Sequence, residues 1–233
     1  MNKKISEPQK KPILDVWSGR SIFPVPAQSA PTEVVVKEGI VWRMGVEPSF
    51  GGDSCFLRGF DIRHAEVIFT LINYYRNKNI PLGEEISLPY SNLLELVGWQ
   101  QNQLHDLYEV IGDLNNIWTK VKSSHGYQCF RVLSISESAP VASDDFMIDR
   151  VIFHPAFLEI LDFIENDMSI RIDVFNSIPS KIAKAIYLYL PTRAINCTKE
   201  NPFRISLTDL FTEIGIPHEE NKANYMREVM DFL

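Results

Sequence analysis

The sequence has few cysteines, no long apolar run and no secretion signal. Its three cysteines, Cys55, Cys129 and Cys197, are far apart, and no Cys-x-x-Cys or Cys/His spacing indicates zinc. Free thiols are typical of a reducing compartment. No apolar run approaches the roughly 18 residues of a membrane span, and the start MNKKISEPQKKP has no apolar signal core. These absences predict a soluble, cytoplasmic protein.

Motifs for nucleotide binding and catalysis are also missing. The sequence has no P-loop lysine motif and no Gly-x-Gly-x-x-Gly. The stretch GGDSC, residues 51–55, faintly resembles a nucleophile turn, but no strand-turn-helix pattern surrounds Ser54, and the nearest histidine, His64, begins a predicted helix. His154 is typical of a structural helix cap. The adjacent acidic residues at 144–145 are typical of a solvated linker. We therefore expect no cofactor, no metal and no enzymatic activity.

Basic residues are scarcer than acidic ones, and they are unevenly placed. The net charge is −7, which argues weakly against nucleic acid, because phosphate binders usually carry a basic excess. Residues 141–178 contain two basic and eight acidic residues, whereas residues 179–233 contain seven of each. The total charge therefore says little about any one surface.

The N-terminal part, residues 1–55, is predicted to be a flexible, Pro-rich segment because repeated prolines interrupt any helix. One short strand is expected in VVVKEGIVWRM, with a turn near Glu38-Gly39. Its lysines have two interpretations, a loose basic arm or a plain disordered terminus. These lysines are Lys3, Lys4, Lys10 and Lys11.

Residues 56–140 show the order helix, strand, helix, turn, helix, hairpin. DIRHAEVIFTLINYYRN has a helical apolar stripe, and PYSNLLELVG opens with Pro89 and closes at Gly98, a helix C-cap signal. QLHDLYEVIGDLNNI is the next helix, and IWTKVKSSHGYQCFRVLSI alternates as a hairpin does. This order predicts a winged helix, a helix-turn-helix backed by a small sheet.

Residues 141–178 are predicted to be an acidic linker containing a strand and a helix, and residues 179–233 restart the earlier pattern. There PSKIAKAIYLYLPTRAI is a helix, PFRIS a strand and SLTDLFTEIG a short helix with Ser206 as its N-cap. The pair ISLPYSNLLELVGW and ISLTDLFTEIGIP shows the repetition directly. We expect an α+β, mainly α, fold of two tandem winged-helix domains. The second is expected to be truncated, lacking its wing because the sequence stops at Leu233.

Two such units, with IPLGEEISL and LLELVG in the first and AKAIYLYL and ISLTDLFTEIG in the second, resemble plasmid replication initiators of the Rep type, TrfA-like proteins in particular. VIFHPAFLEIL, after the first wing, is similar to that family as well. The resemblance implies binding of repeated origin sites, called iterons, and recruitment of the replicative helicase or its loader. It also implies base contacts mainly from the second winged helix, with a possible homodimer formed through the first. The acidic surplus departs from the more basic members.

The helical wheel of EENKANYMREVMDFL is compatible with a DNA-reading helix, and the tandem architecture favours that interpretation. Its outward face carries Asn and Arg, which suit adenine and guanine, and a lysine at its start that suits phosphate. The alternative is a solvated helix face. The predicted base-reading and phosphate-contacting residues of this half are Asn221, Lys222, Asn224, Tyr225, Arg227, Arg193, Lys199 and Arg204.

The corresponding helix of the first unit has an acidic outward face, predicted to comprise His105, Asp106, Glu109, Asp113 and Asn116. Carboxylates repel phosphates at short range, so we expect this helix to stay out of the major groove and to contact protein instead. In the wing, Lys120 and Lys122 are predicted to touch phosphate, or alternatively only to keep the hairpin soluble.

Two further functions fit the sequence. A transcriptional repressor would have the same winged helices. A protein-interaction scaffold that does not bind DNA would explain the acidic helix of the first unit.

Overall fold

A computed structural model of the chain describes residues 14–15, 32–36, 40–46, 61–123, 126–131, 133–138, 146–162, 165, 170–194, 197–214, 216 and 227. Over these residues the fold is α+β, as predicted. The helices are α1 (Ile62–Asn77), α2 (Tyr90–Val97), α3 (Leu104–Leu114), α4 (Pro155–Asp162), α5 (Ile172–Ser177), α6 (Lys181–Ala194) and α7 (Leu207–Glu213). The strands are β1 (Leu14–Asp15), β2 (Thr32–Val36), β3 (Ile40–Val46), β4 (Glu85–Pro89), β5 (Ile117–Ser123), β6 (Gly126–Arg131), β7 (Leu133–Ser138) and β8 (Met147–Phe153).

Helix α1 is the central helix of the first unit. Asp61 caps its N-terminus by accepting a hydrogen bond from the backbone N–H of Arg63. The apolar stripe predicted from the sequence is buried along its whole length, which confirms the helical periodicity. Its members are Ala65, Ile68, Phe69, Ile72 and Tyr75.

The helix-turn-helix consists of α2 and α3, joined by a single 3-10 turn at Gln101–Gln103. Helix α2 ends at Gly98, whose φ of 81° is left-handed and therefore favours glycine. Strands β5 and β6 pair antiparallel directly after α3 and form the wing. The order of α1, β4, α2, α3 and this hairpin confirms a winged helix in the first unit.

A three-stranded antiparallel sheet, ordered β4-β8-β7, packs beside these helices. Its middle strand, β8, comes from the segment predicted to be a linker. The Tyr75 hydroxyl joins the sheet to α1, because it donates to the carbonyl of Glu84 at 3.0 Å and accepts from the N–H of Val151 at 3.0 Å. The strand and helix predicted after the wing are thus present as β8 and α4.

A second antiparallel sheet contains the wing and strands from the N-terminal segment, in the order β1-β2-β3-β5-β6. The expected strand in VVVKEGIVWRM is two strands, β2 and β3, which pair with each other. Strand β3 then pairs with β5 of the wing. Part of the segment predicted to be flexible therefore extends the wing sheet.

The later half repeats α1 and α2 as α6 and α7. The predicted apolar stripe of α6, which includes Ile182, Ala185 and Ile186, is buried. Ser206 caps α7 as predicted, since its Oγ accepts the backbone N–H of Asp209 at 3.1 Å. The strand predicted at PFRIS is wrong, because residues 202–206 have no strand partner among the described strands and are irregular.

One hydrophobic core extends across both halves, from Ile62 in α1 to Ile216 after α7. Phe175 of α5 shows the continuity, because its ring meets that of Phe69 edge-on at 5.0 Å between centroids. The predicted domain boundaries at residues 55, 140 and 178 stay predictions, but the described halves share their packing. No helix in the described ranges is long and apolar enough to cross a membrane.

Candidate nucleic-acid interface

A buried carboxylate, Glu66 of α1, links the helix-turn-helix to the later half. Its Oε2 accepts the indole N–H of Trp99 at 3.1 Å, and its Oε1 accepts from Nζ of Lys184 at 2.8 Å. The Glu66 and Lys184 side chains are only 3% and 6% exposed, so the charges are compensated mainly by each other. Lys184 also lies over the ring of Phe175, at 5.4 Å from its centroid. The turn that orients α3 is therefore fixed against α6.

A second buried polar group, His64, connects α1 to α3. Its Nδ1 lies 3.1 Å from the backbone nitrogen of Asp61, and its Nε2 lies 3.2 Å from Oδ2 of Asp113. Burial alone lowers the pKa of His64, but the neighbouring carboxylates of Asp113 and Asp61 outweigh it, so the net pKa is raised. Burial alone raises the pKa of Asp61, but hydrogen bonds from His64 and Arg63 hold it well below its usual value.

These pKa shifts predict a stability loss in acid that depends on Asp61. A carboxyl whose folded-state pKa is depressed stabilises the fold above its unfolded pKa, about 3.8, and loses that contribution as the pH falls through the folded value. The raised pKa of His64 acts in the opposite sense, stabilising below about pH 6.5 and fading as the pH rises. Urea denaturation measures the free energy of unfolding at pH 5.5 and at pH 3. This free energy should fall less between the two pH values for Asp61→Asn than for the unchanged chain, since asparagine keeps the cap but cannot titrate.

Glu85→Gln, at a side chain that is 81% exposed, is the control, and the fall in its free energy of unfolding should equal that of the unchanged chain. Equal drops for Asp61→Asn and the unchanged chain would contradict the assignment.

The outward face of α3 is acidic, but less so than the sequence predicts. Asp113 was predicted to face outward; this is wrong, because it is buried against His64 of α1. Glu109 is exposed and lies 3.4 Å from a guanidinium nitrogen of Arg63, which also pairs with Asp61. Asp106 is half-buried and His105 exposed. The residual charge on this face still opposes close approach of phosphate.

The predicted DNA contacts of the later half fall in different parts of the structure. Lys199 and Arg204 are exposed in the connection between α6 and α7, and Arg227 is helical and exposed. Arg193 lies in the last turn of α6. The other predicted contacts lie outside the described residues, and they are Asn221, Lys222, Asn224 and Tyr225. The role of the whole set stays a prediction.

The predicted wing contacts lie on β5, which is between β3 and β6 in the wing sheet. Lys120 and Lys122 are on β5, where Lys120 is directly opposite Arg43 of β3. Sequence reasoning missed Arg43, because the pairing of β3 with β5 joins residues almost 80 positions apart. No local pattern in the sequence signals this pairing, because strand pairing is a long-range property.

The described residues define an α+β protein with a winged helix and a partial second copy of the same helical order. In their ranges no cluster of His, Cys, Asp or Glu side chains is arranged to hold a metal ion. No protein-family model matches the chain, and no curated protein matches it. Among solved structures, a selenomethionine derivative of domains 2 and 3 of RctB is similar, with a TM-score of 0.49 and 14% identity. The similarity covers 92% of this chain and 81% of that chain.

Proposed function

We propose that the chain is a replication initiator of the plasmid Rep type. It binds repeated duplex sites at an origin and recruits the replicative helicase or its loader, acting in the cytoplasm by binding rather than by bond chemistry. The observation that carries this proposal is the winged helix followed by a second run of the same helices, α6 and α7. Winged helices place a recognition helix in the major groove, and tandem units suit repeated sites.

The charge distribution favours the later half as the reader of duplex DNA. The two candidate DNA-reading segments are α3 and the segment around Arg227. Helix α3 carries the carboxylates of Asp106 and Glu109, which repel phosphate. The later half offers exposed Lys199, Arg204 and Arg227. Phosphate contacts supply much of the affinity for DNA, so the half that carries exposed basic residues is the better DNA binder. We therefore assign the base contacts to the segment around Arg227. The acidic face of α3 is then available for a protein contact, such as a homodimer.

Arg227→Ala is expected to cost about 1–3 kcal/mol of binding free energy and to relax the preference at one base pair, because arginine reads guanine bidentately. Lys222→Ala is expected to weaken binding equally for all sequences and to lower the salt slope by about 1, as for one lost phosphate contact. Binding of a selected duplex and its single-base-pair variants, measured by anisotropy, separates the two effects. If Arg227→Ala weakened every sequence alike, Arg227 would be a phosphate contact, and base reading by this residue would be wrong.

One alternative has support in a particular observation. The acidic α3, with Glu109 beside Arg63, favours a protein-interaction scaffold that does not bind DNA.

A transcriptional repressor would share the duplex binding of an initiator, and an origin-melting or helicase-loading assay with the full chain distinguishes the repressor from the initiator. Melting of an origin duplex supports the initiator, whereas tight binding without melting or loading supports the repressor.

A further inference from the structure

The register of the wing sheet brings four basic residues and two aromatic residues to one face. In antiparallel strands, residues directly opposite each other share a face, as do alternate residues along a strand. Arg43 is opposite Lys120, Lys122 is opposite Tyr127, and Trp118 is opposite Arg131. The nine positions of this wing face, three on each strand, are Val41, Arg43, Gly45, Trp118, Lys120, Lys122, Tyr127, Cys129 and Arg131.

The charge of the wing face contrasts with both its opposite side and the rest of the chain. None of its nine positions is acidic, although the chain has a net charge of −7. The other side of the same three strands carries no charged residue and is rich in Val, Ile, Trp, Met and Phe. Arg131, the one member whose side chain is described, is exposed. Two acidic residues on the same side of the sheet mark the border of the basic area, Glu33 of β2 opposite Arg43 and Asp15 of β1 opposite Val35.

We propose that the wing face binds single-stranded nucleic acid. Cations alone would suit any phosphate backbone, but Trp118 and Tyr127 placed among them provide rings on which unpaired bases stack. In a duplex the bases are already stacked on one another, so rings on a sheet add little. From strand geometry the nine positions cover about 13 by 10 Å, which accommodates two or three nucleotides.

The wing face differs in its ligand from the duplex site of the proposed function, and it gives Lys120 and Lys122, predicted from the sequence to contact duplex phosphate, a role on a single strand. It depends on β3, β5 and β6, whereas duplex reading is assigned to the segment around Arg227. The duplex and single-strand assignments can therefore be tested independently. Arg227→Ala is expected to leave single-strand binding unchanged.

The test uses the full chain and two fluorescein-labelled probes of roughly 20 nucleotides, an oligothymidine and a random-sequence duplex. Anisotropy is measured at several salt concentrations. We expect Lys120→Gln to weaken oligothymidine binding and to reduce its salt slope by about 0.7, the value for one phosphate contact on a single strand. Lys78→Gln, which removes an exposed lysine just after α1 and outside the sheet, is the matched control and should change neither.

The aromatic contribution is tested at Trp118. Trp118→Ala is expected to raise the dissociation constant for oligothymidine about tenfold, and Trp118→Phe to restore most of the affinity because the ring is kept. Circular dichroism checks that each variant is folded, and Lys120→Gln decides the question if Trp118→Ala does not fold. The proposal is overturned if oligothymidine is not bound at low salt or if Lys78→Gln acts as Lys120→Gln does. It is also overturned if Lys120→Gln weakens only the duplex, which would make the wing face a duplex-backbone contact.

Discussion

Replacing Lys184 with alanine is expected to lower the free energy of unfolding by about 3–5 kcal/mol, because it leaves the Glu66 carboxylate buried without its counter-charge. The pair is almost completely enclosed, with N–O separation of 2.8 Å, and Glu66 also holds the indole of Trp99. Urea denaturation at pH 7, followed by circular dichroism, measures the loss.

Two further variants show whether the loss comes from the unpaired charge. Glu66→Gln combined with Lys184→Met should recover most of the stability, since it removes both charges and keeps an acceptor for Trp99. Arg76→Ala breaks the pair with Glu165, whose side chains are 45% and 25% exposed, and should cost no more than about 1 kcal/mol. A Lys184→Ala loss as small as that of Arg76→Ala would show that the Glu66 site is hydrated rather than closed.

Phe175→Ala is expected to cost about 3–5 kcal/mol, the usual range for removing a fully buried phenylalanine. Phe175 is 0% exposed, it contacts Phe69 of α1, and Lys184 of α6 lies over its ring. Thermal and urea unfolding should both show the loss, in one cooperative transition. One transition is expected because α5 joins the cores of the two halves.

The matched control for Phe175→Ala is Ile152→Ala. Ile152 lies on β8 and is 48% exposed, so its truncation should change stability by no more than about 0.5 kcal/mol. If Phe175→Ala left one transition unchanged and shifted a separate second one, the halves would be independent domains. The single core described here would then be wrong.

The sequence predicted the helices of this fold better than its sheets. The stripes of α1 and α6 repeat every three to four residues, and that period follows from local geometry alone. The left-handed end of α2 was readable from Gly98 for the same reason. Strand pairing is a long-range property, so the position of β8 between β4 and β7 and the junction of β3 with β5 had no local signal.

The two wrong predictions, the outward orientation of Asp113 and the strand at PFRIS, also depend on residues that are distant in the sequence. Asp113 lies at the edge of the apolar face of α3, and only its partner, His64, 49 residues earlier, decides that it is buried. PFRIS has the composition of a strand, but the described part of the chain provides no strand for it to pair with. Of the predicted duplex contacts, Arg227 is helical and Lys199 and Arg204 lie in a connection, and the role of the set stays a prediction. The basic and aromatic wing face needed the strand register.

The most direct test of the account is a gel-shift titration of the full chain against a random-sequence duplex pool at several salt concentrations. We predict binding at low salt, a logarithmic affinity that falls linearly with the logarithm of salt concentration, and enrichment of a repeated motif after rounds of selection. Absence of affinity for every duplex at low salt would contradict the proposed function and favour the scaffold.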